Sequence, residues 1–373
     1  MPYVEAAGLH KSFGAVHAVD DVSFTMEKGK FLALLGPSGC GKTTTLRMIA
    51  GLSQPDAGAI RLDGRDISLL GPEKRKIGMV FQTWALFPHM SIHENIAFGL
   101  RLQKLTKAQI KQRVVEALEL VQLPGLEKRL PRQLSGGQQQ RVALTRALAT
   151  RPKLMLFDEP LSNLDHKLRI EMRTELKNLQ RTLSLTCIHV THDQGEALSL
   201  GDHVAVMSAG KILDLREADA LFNRPRVRFV ADFLGATNIL RGHVINEAAG
   251  DTFQAESGIR IGVAVPDRIP PESIRYAAIR PEKVALRSTK LQASESVNAF
   301  PVRIAEVDYL GTVTRYIVDL EGPTGTKLTV SDSTGRILAI GEEALATWTR
   351  EDVLLLQEDP GPVVEGGAGN GSP

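Results

Sequence analysis

Cysteine is scarce in this chain, with only Cys40 and Cys187 among 373 residues. Two cysteines are too few for a disulfide framework or for a structural zinc site with about four ligands. This usage is typical of a protein kept in a reducing compartment. We therefore expect any stability or chemistry to come from packing and from other side chains.

Long apolar runs are also missing. No stretch approaches the roughly 18 consecutive apolar residues that a membrane-spanning helix needs. The N-terminal sequence MPYVEAAGLHKSFG contains no cationic stretch followed by an apolar one, so it does not look like a secretion signal. We expect a cytosolic protein, and if it acts at a membrane, another chain must span the bilayer.

The chain has little excess charge of either sign. Lys and Arg total 45 against 43 Asp and Glu, for a formal charge of +2. No overall field attracts nucleic acid or an anionic membrane, so no nucleic-acid partner is predicted. The contents of 43% hydrophobic and 24% charged residues exclude collagen-like and wholly disordered chains. At roughly 150 residues per domain, the length predicts two or three folded domains.

Residues 1–235 alternate between short apolar runs and helical patterns. The runs at 31–35, 154–157, 187–190 and 204–207 are typical of buried strands, which predicts an α/β fold with a largely parallel sheet. Between about 85 and 150 the pattern is mostly helical, and we interpret this part as a helical subdomain. There, Thr106 and Gln109 form a predicted capping box at the start of a helix that ends before Pro124.

After about residue 235 short alternating strands follow one another without helices between them. They predict a small all-β domain over 236–358, barrel-like or sandwich-like. The predicted strands are 239–245, 259–263, 276–279, 302–308, 314–320, 327–330 and 353–356. Residues 359–373 are rich in glycine and proline, and we expect a disordered tail there.

The sequence GPSGCGKTT at 36–44 lies between an apolar run and a helical pattern, the context that a phosphate-binding loop requires. Its glycines let backbone amides point at phosphate oxygens, while Lys42 reaches the β- and γ-phosphates and Thr43 binds Mg²⁺. The predicted nucleotide-binding residues are Gly36, Pro37, Ser38, Gly39, Cys40, Gly41, Lys42, Thr43 and Thr44. The loop by itself does not separate kinases, GTPases and transport ATPases.

The run LMLFDEP at 154–160 is an apolar strand that ends in two carboxylates. Asp158 is placed to hold Mg²⁺, and Glu159 to polarise the attacking water. Acidic residues also end strands in unrelated proteins. The phosphate-binding loop upstream makes catalysis the better interpretation.

The sequence LSGGQ opens a second helix with exposed amides, so the chain has two helix ends suited to phosphate. The plain alternative is a helix capped by Ser135. A symmetric dimer in which each Ser135 loop closes over the partner's nucleotide would bury two ATP molecules. The residues predicted to contact the partner's ATP are Leu134, Ser135, Gly136, Gly137 and Gln138.

The ordered set GPSGCGKTT, Gln82, LSGGQ, LMLFDE, SNLD and VTHD resembles the nucleotide-binding subunit of ATP-binding-cassette (ABC) transporters, over roughly residues 3–235. The resemblance implies an ATP-driven homodimer beneath two transmembrane permease subunits. It implies that Phe13 stacks on adenine, that Gln82 senses the γ-phosphate and Mg²⁺, and that His192 contacts the γ-phosphate. Asp165 would lie in the loop that meets the opposing subunit. Each of these residues alone would more often be an ordinary core or surface residue.

In the same family, the segment after Gln82 lines the groove that receives the permease. The resemblance therefore implies that Trp84, Leu86, Phe87 and Met90 face this groove. Packing inside the chain is an equally reasonable interpretation of each. Many relatives have Ala where Asn163 stands here, which is a mild departure from the pattern.

In the C-terminal region, IRPEKVAL at 279–286 and VDYLGTVTRYIVDL at 307–320 resemble two blocks of the transport-associated OB-like (TOBE) domain of import-type cassettes. With FLGATNIL at 233–240 and WTREDVLLL at 348–356, the region is most similar to the polyamine (spermidine/putrescine) branch. Iron(III), phosphonate or another small solute is the alternative. The resemblance implies an extracytoplasmic solute-binding protein as a further partner and a peripheral position on the cytoplasmic side of the inner membrane. A soluble ABC ATPase unconnected with transport and a regulatory binding module are the alternatives from other classes.

Overall fold

The computed structural model describes residues 1–247, 250–265, 269–287, 297–320, 325–335 and 337–359. The chain divides into two compact units, Met1–Leu221 and Phe222–Pro373. The division lies before the boundary predicted near residue 235. Of the predicted tail, residues 360–373 lie outside the described ranges. Asp359 is described, and its carboxylate accepts a hydrogen bond of 2.6 Å from the Phe229 amide.

The first unit alternates strands with helices, as the apolar runs predict. Its strands are β1 (Val4–Phe13), β2 (Val16–Met26), β3 (Phe31–Leu35), β4 (Ala57–Leu62), β5 (Arg65–Asp66), β6 (Ile77–Val80), β7 (Leu154–Asp158), β8 (Cys187–Thr191), β9 (His203–Ser208) and β10 (Lys211–Glu217). Its helices are α1 (Lys42–Ala50), α2 (Pro72–Arg75), α3 (Ile92–Arg101), α4 (Lys107–Leu120), α5 (Gly136–Leu148), α6 (His166–Leu183) and α7 (Gln194–Leu200), and α8 (Ala218–Asn223) spans the division.

A six-stranded sheet in the order β10-β9-β3-β8-β7-β6 forms the centre of this unit. The neighbouring strands from β9 to β6 are parallel, and β10 pairs antiparallel with β9. Strands β3, β7 and β8 are buried along their whole length, because helices cover both faces of such a sheet. The predicted parallel sheet is confirmed.

A second, antiparallel sheet in the order β2-β1-β4-β5 was not predicted. Its strands are half-buried, so they contain no continuous apolar run. In β2 the residues Val22, Phe24 and Met26 are buried while those between them are exposed. This period of two is the ordinary signal of a strand with one wet face.

The part of the chain predicted to be helical, 85–150, contains α3, α4 and α5. The capping box predicted for α4 is confirmed, since the Thr106 hydroxyl accepts from the Gln109 amide and Gln109 Oε1 accepts from the Thr106 amide. Helix α4 ends at Leu120, before Pro124. Two further capping boxes, at Ser91 for α3 and at Ser135 for α5, start the other helices.

The second unit is built on antiparallel strands, preceded by α9 (Arg228–Phe233). Its strands are β11 (Asn238–Glu247), β12 (Gly250–Ala255), β13 (Arg260–Gly262), β14 (Tyr276–Ile279), β15 (Ala285–Arg287), β16 (Val297–Tyr309), β17 (Thr314–Leu320), β18 (Lys327–Asp332), β19 (Glu343–Thr349) and β20 (Val353–Leu356).

These strands form two five-stranded sheets, β13-β12-β11-β14-β20 and β15-β19-β16-β17-β18. One core joins the inner faces of the two sheets, with Phe253 and Ile261 from the first sheet and Tyr316 and Trp348 from the second. The seven predicted strands are all present, and β12, β15 and β19 are additional.

Both thiols, Cys40 and Cys187, are free and buried. Burial raises the pKa of the Cys187 thiol, so it is protonated at neutral pH. Within the described ranges, no helix is long and apolar enough to cross a lipid bilayer.

Candidate active site

The predicted site residues follow strands that end at one edge of the parallel sheet. The register pairs Leu35 with Thr191, Val190 with Asp158, and Phe157 with Val80, so the carboxyl ends of β3, β8, β7 and β6 are level. The residues that come next at this edge include Gly36, Gln82, Glu159 and His192. Parallel sheets bind ligands at this edge, where the loops between strands and helices converge.

The loop between β3 and α1 has a backbone that only glycine permits at two points. At Gly41, where φ is +101°, a Cβ atom would lie 2.2 Å from the Ala18 carbonyl oxygen. At Gly36 a Cβ would lie 2.2 Å from the Met207 carbonyl oxygen. Gly41 is also the N-cap of α1, and no side chain accepts a hydrogen bond from the first N–H groups of this helix. Those groups are therefore available to bind an anion.

Lys42 is the first residue of α1 and is only 4% exposed. Its ammonium group donates hydrogen bonds of 2.8 Å to the carbonyl oxygens of Gly36 and Pro37. The loop therefore folds around the charge that would bind a phosphate. Cys40 lies inside this loop, and burial raises the pKa of its thiol even though Lys42 acts in the opposite direction.

Thr43 and Asp158 are brought together from α1 and the end of β7. The Thr43 hydroxyl donates a hydrogen bond of 3.0 Å to Asp158 Oδ1. Burial raises the pKa of Asp158, and this outweighs the opposite effects of the Thr43 hydrogen bond and of nearby Arg47. A partly desolvated carboxylate beside a hydroxyl is a suitable pair of oxygen ligands for a hard divalent cation.

Replacing Asp158 by Asn should stabilise the nucleotide-free protein at neutral pH. The pKa of Asp158 in the folded protein lies above its value in the unfolded chain. Binding a proton at Asp158 therefore stabilises the fold, and this stabilisation is fully present at low pH. That contribution is lost as the pH rises from the ordinary carboxyl range through the raised pKa. Urea unfolding at about pH 7.5 and about pH 4.5 should show a gain for Asp158→Asn that shrinks at the lower pH.

Asp66 provides a control of opposite sign. Hydrogen bonds from the Ser68 hydroxyl and amide lower the pKa of this carboxylate. Stability contributed by Asp66 is therefore present at neutral pH and lost in acid, and Asp66→Asn should not raise stability at neutral pH. Equal stability of Asp158→Asn and the wild type at neutral pH would contradict the burial effect at Asp158.

Glu159 and His192 lie side by side at the ends of β7 and β8. His192 Nδ1 is 3.3 Å from Glu159 Oε2, and the His192 side chain is 55% exposed. Glu159 has φ +46°, a left-handed conformation that is unusual for a non-glycine residue and that often marks functional sites. Its amide still donates to the Val190 carbonyl oxygen at 3.1 Å, which fixes Glu159 to the sheet.

The turn that presents His192 is held by residues that the sequence analysis missed. Glu196 Oε2 accepts a hydrogen bond of 2.7 Å from the Thr191 hydroxyl and lies 3.2 Å from His189 Nε2. Burial alone would raise the pKa of Glu196, but these two neighbours and Arg169 lower it. The carboxylate therefore stays charged and joins α7 to the end of β8 across the turn.

Gln82 contacts the loop between β7 and α6. Its side-chain Nε2 donates a hydrogen bond of 3.3 Å to the Ser162 hydroxyl. Its backbone carbonyl oxygen accepts a hydrogen bond of 3.0 Å from Asn163 Nδ2. The Asn163 side chain thereby links this loop to the segment that follows β6. Asp165 ends the same loop and caps α6, because its Oδ1 accepts a hydrogen bond of 3.0 Å from the Leu168 amide.

The segment 134–138 forms the N-terminus of α5. The Ser135 hydroxyl accepts from the Gln138 amide, and Gln138 Oε1 accepts from the Ser135 amide at 3.1 Å. Gly137 allows close packing, because a Cβ there would lie 2.9 Å from Leu168 Cδ1. In the described parts of the chain, no hydrogen bond joins this segment to residues 36–44, so one chain does not bring the two helix ends together in this way.

Phe13 ends β1 and is 56% exposed. The Lys11 ammonium lies 5.7 Å from the centre of its ring. The adjacent strand β2 supplies the Ala18 carbonyl oxygen that approaches Gly41, so the β1-β2 hairpin borders the phosphate-binding loop. Phe13 thus presents an exposed ring at the end of this hairpin.

Two family models match this chain. One, described as ABC transporter, covers residues 19–162, and the other, described as TOBE domain, covers residues 277–356. The spermidine/putrescine import ATP-binding protein PotA 2 of Pseudomonas aeruginosa is 44% identical over 361 residues, which is 93% of this chain and 96% of that protein. PotA of Chromobacterium violaceum is 47% identical over 332 residues, which is 86% of this chain and 89% of that protein.

Two solved structures share the fold of the first unit. The protein cbiO1 of Clostridium perfringens, described as part of an ABC transporter complex, has a TM-score of 0.56 at 29% identity and covers 59% of this chain and 90% of that one. A dimeric ATP-binding cassette in a post-hydrolysis state bound to ADP and Pi has a TM-score of 0.52 at 30% identity. The match covers 58% of this chain and 98% of that one.

The strand-edge site, the glycine loop around Lys42 and the parallel sheet define a nucleotide-binding ATPase with an appended all-β domain. The chain belongs to the ATP-binding proteins of the ABC transporter family. It is accordingly an ATPase that binds ATP.

Proposed function

We propose that this chain is the ATPase subunit of an importer that takes up polyamines such as spermidine or putrescine. The observation that carries the proposal is its likeness to proteins named spermidine/putrescine import ATP-binding protein, over 93% of the chain in one case and 95% in another. The all-β domain is part of this likeness, so the resemblance is not limited to the ATP-binding unit.

The arrangement at the sheet edge supports direct hydrolysis by water. Backbone N–H groups of the loop 36–44, other than at Pro37, and the Lys42 ammonium bind the phosphates of ATP. Glu159 acts as the general base that aligns water with the γ-phosphate, and His192, 3.3 Å from it, contacts the same phosphate. Lys42 stabilises the negative charge that moves to the leaving oxygen.

The ligand set at this edge fits Mg²⁺. The Thr43 hydroxyl and the Asp158 carboxylate are 3.0 Å apart, and Gln82 adds an amide side chain, so hard oxygen donors are available. When bound, Mg²⁺ would neutralise charge on the β- and γ-phosphates. Thr43, Asp158 and Gln82 are the residues that would hold it.

A homodimer would complete the site. The Ser135 helix end and the Lys42 loop each suit phosphate, and no hydrogen bond between described residues joins them within the chain. The dimeric state of the related cassette bound to ADP and Pi supports the same arrangement here. In this arrangement residues 134–138 cover the ATP bound by the partner, and Asp165 lies at the dimer interface.

The remaining partners are proposed from the family and the surface. Two transmembrane permease subunits would bind near Leu86, Phe87 and Met90, which are half-buried beside the site. A solute-binding protein outside the membrane would deliver the polyamine. The chain would thus act as a peripheral subunit on the cytoplasmic side of the inner membrane.

Uptake of labelled spermidine and putrescine in a strain lacking this chain tests the proposal. Uptake should be lost, return with the wild-type gene, and stay lost with Glu159→Gln. Normal polyamine uptake together with lost uptake of iron(III) or a phosphonate would contradict the solute but not the transport role. Failure to copurify with any permease would favour a soluble ATPase or a regulatory binding module.

A further inference from the structure

The loop that follows Gln82 has a strained backbone. Trp84 and Ala85 are consecutive non-glycine residues with φ of +59° and +49°. Left-handed backbone is unfavourable for residues with a Cβ and persists only where the surroundings impose it. Two such residues in a row indicate that other groups determine the conformation of this loop.

Arg146 imposes this conformation from helix α5. Its Nη1 donates a hydrogen bond of 2.7 Å to the Ala85 carbonyl oxygen, and its Nη2 donates one of 2.9 Å to the Trp84 carbonyl oxygen. The guanidinium carbon lies 5.8 Å from the centre of the Phe87 ring. One planar side chain therefore binds both strained peptides, which a single-point donor such as Lys cannot do equally well.

The Trp84 side chain contacts two segments that border the active site. Its Nε1 donates to the Pro160 carbonyl oxygen at 3.4 Å, and its Cη2 lies 3.4 Å from where a Cβ on Gly136 would be. The indole also packs in a cluster with Leu161, Leu164 and Met172.

These contacts lie next to the proposed catalytic and ATP-contacting residues. Pro160 directly follows Glu159, Gly136 directly follows Ser135, and Trp84 itself is two residues beyond Gln82. A shift of the indole would therefore displace all three at once. The partly buried indole of Trp84 thus packs inside the chain, which was one of the two interpretations of this residue.

We infer that Trp84 is a positioning residue for hydrolysis, kept in its left-handed conformation by Arg146, and that it sets Gln82, Glu159 and the N-terminus of α5 in one arrangement. The inference rests on the proposed ATPase mechanism. Among the described residues, no hydrogen bond or ring contact joins either of them to the phosphate-binding loop, so both act through others. Their loss should impair the chemical step more than the binding of ATP.

Arg146→Met tests this inference in the full-length chain, since Met has a similar length and no donors. We expect kcat for ATP to fall about 10- to 100-fold, because small displacements of catalytic groups have effects of that size. The KM should change less than about threefold, because the Lys42 loop is intact. The kcat of Arg146→Lys should lie between those of Arg146→Met and the wild type. Arg181 is an exposed residue of α6, and the kcat of Arg181→Met should match the wild type.

Tryptophan fluorescence provides a readout that does not need turnover. The chain has only two tryptophans, so Trp348→Phe leaves Trp84 as the sole reporter. In this background Arg146→Met should shift the Trp84 emission to longer wavelength and increase quenching by acrylamide, and Arg146→Lys should do so less.

The outcomes separate the inference from the proposed function. Wild-type kcat in both Arg146 variants would overturn the inference, and so would a loss of activity with unchanged Trp84 emission. If Arg146→Met does not fold, the same criteria apply to Arg146→Lys. Absence of ATPase activity in the wild-type protein would refute the proposed function, whereas the emission of Trp84 would still show whether Arg146 positions it.

Discussion

Glu159→Gln should nearly abolish ATP hydrolysis while leaving ATP binding and ATP-dependent dimerisation intact. Gln keeps the size of the side chain but cannot accept the proton of the attacking water. Loss of a general base typically lowers turnover about 10²- to 10⁴-fold. Single-turnover hydrolysis and size-exclusion chromatography with and without ATP would measure the two effects.

Glu171→Gln is a matched control, since Glu171 is an exposed residue of α6 and the substitution changes the same charge. Its hydrolysis rate should equal that of the wild type. Glu159 also contacts His192, so the variant should be checked for an unchanged unfolding transition. Near-normal hydrolysis by a folded Glu159→Gln protein would remove Glu159 from the role of base.

Ser135→Arg should block hydrolysis without preventing folding. Ser135 is exposed at the N-terminus of α5, so the larger side chain can be accommodated in the free chain. In the proposed dimer it would occupy the space of the partner's γ-phosphate. Loss of the cap itself should destabilise the chain by about 1 kcal/mol. Ser135→Ala removes the same cap without the bulk and should retain far more activity.

Mixing two inactive variants tests whether the site is shared. A heterodimer of Lys42→Ala and Ser135→Arg chains has one site with both lesions and one with neither. If the sites work independently, an equal mixture should regain about a quarter of wild-type turnover, because half of the dimers are mixed and each has one intact site. Full turnover by monomeric Ser135→Arg would contradict the shared-site proposal.

The central sheet was predictable because its strands are buried on both faces. Such strands appear as continuous apolar runs, and the residue after each run must lie at the carboxyl edge of the sheet. Strand β7 is an example. The apolar run 154–157 predicted the strand and, with it, that the carboxylates of Asp158 and Glu159 lie at its carboxyl end. The antiparallel sheet was missed because β1 and β2 bury only some of their residues, so neither contains a continuous apolar run.

Contacts between distant parts of the chain were not predictable from any local pattern. Arg146 binds carbonyl oxygens about 60 residues earlier in the chain, and Asn163 binds one about 80 residues earlier. Glu196 was passed over for a similar reason, since a single acid in a helical pattern is usually a surface residue. Only the fold shows that it is buried between Thr191 and His189.

The residue order alone determined that this chain has a phosphate-binding loop, a strand-end pair of carboxylates, a second phosphate-suited helix end and a separate β domain. Each of these depends on neighbours within about ten residues, where backbone geometry restricts what a pattern can become. The tertiary structure decided which loops touch, and that Trp84 lies packed under strain between them. Such contacts depend on how the sheets and helices assemble, and no short stretch of sequence contains that information.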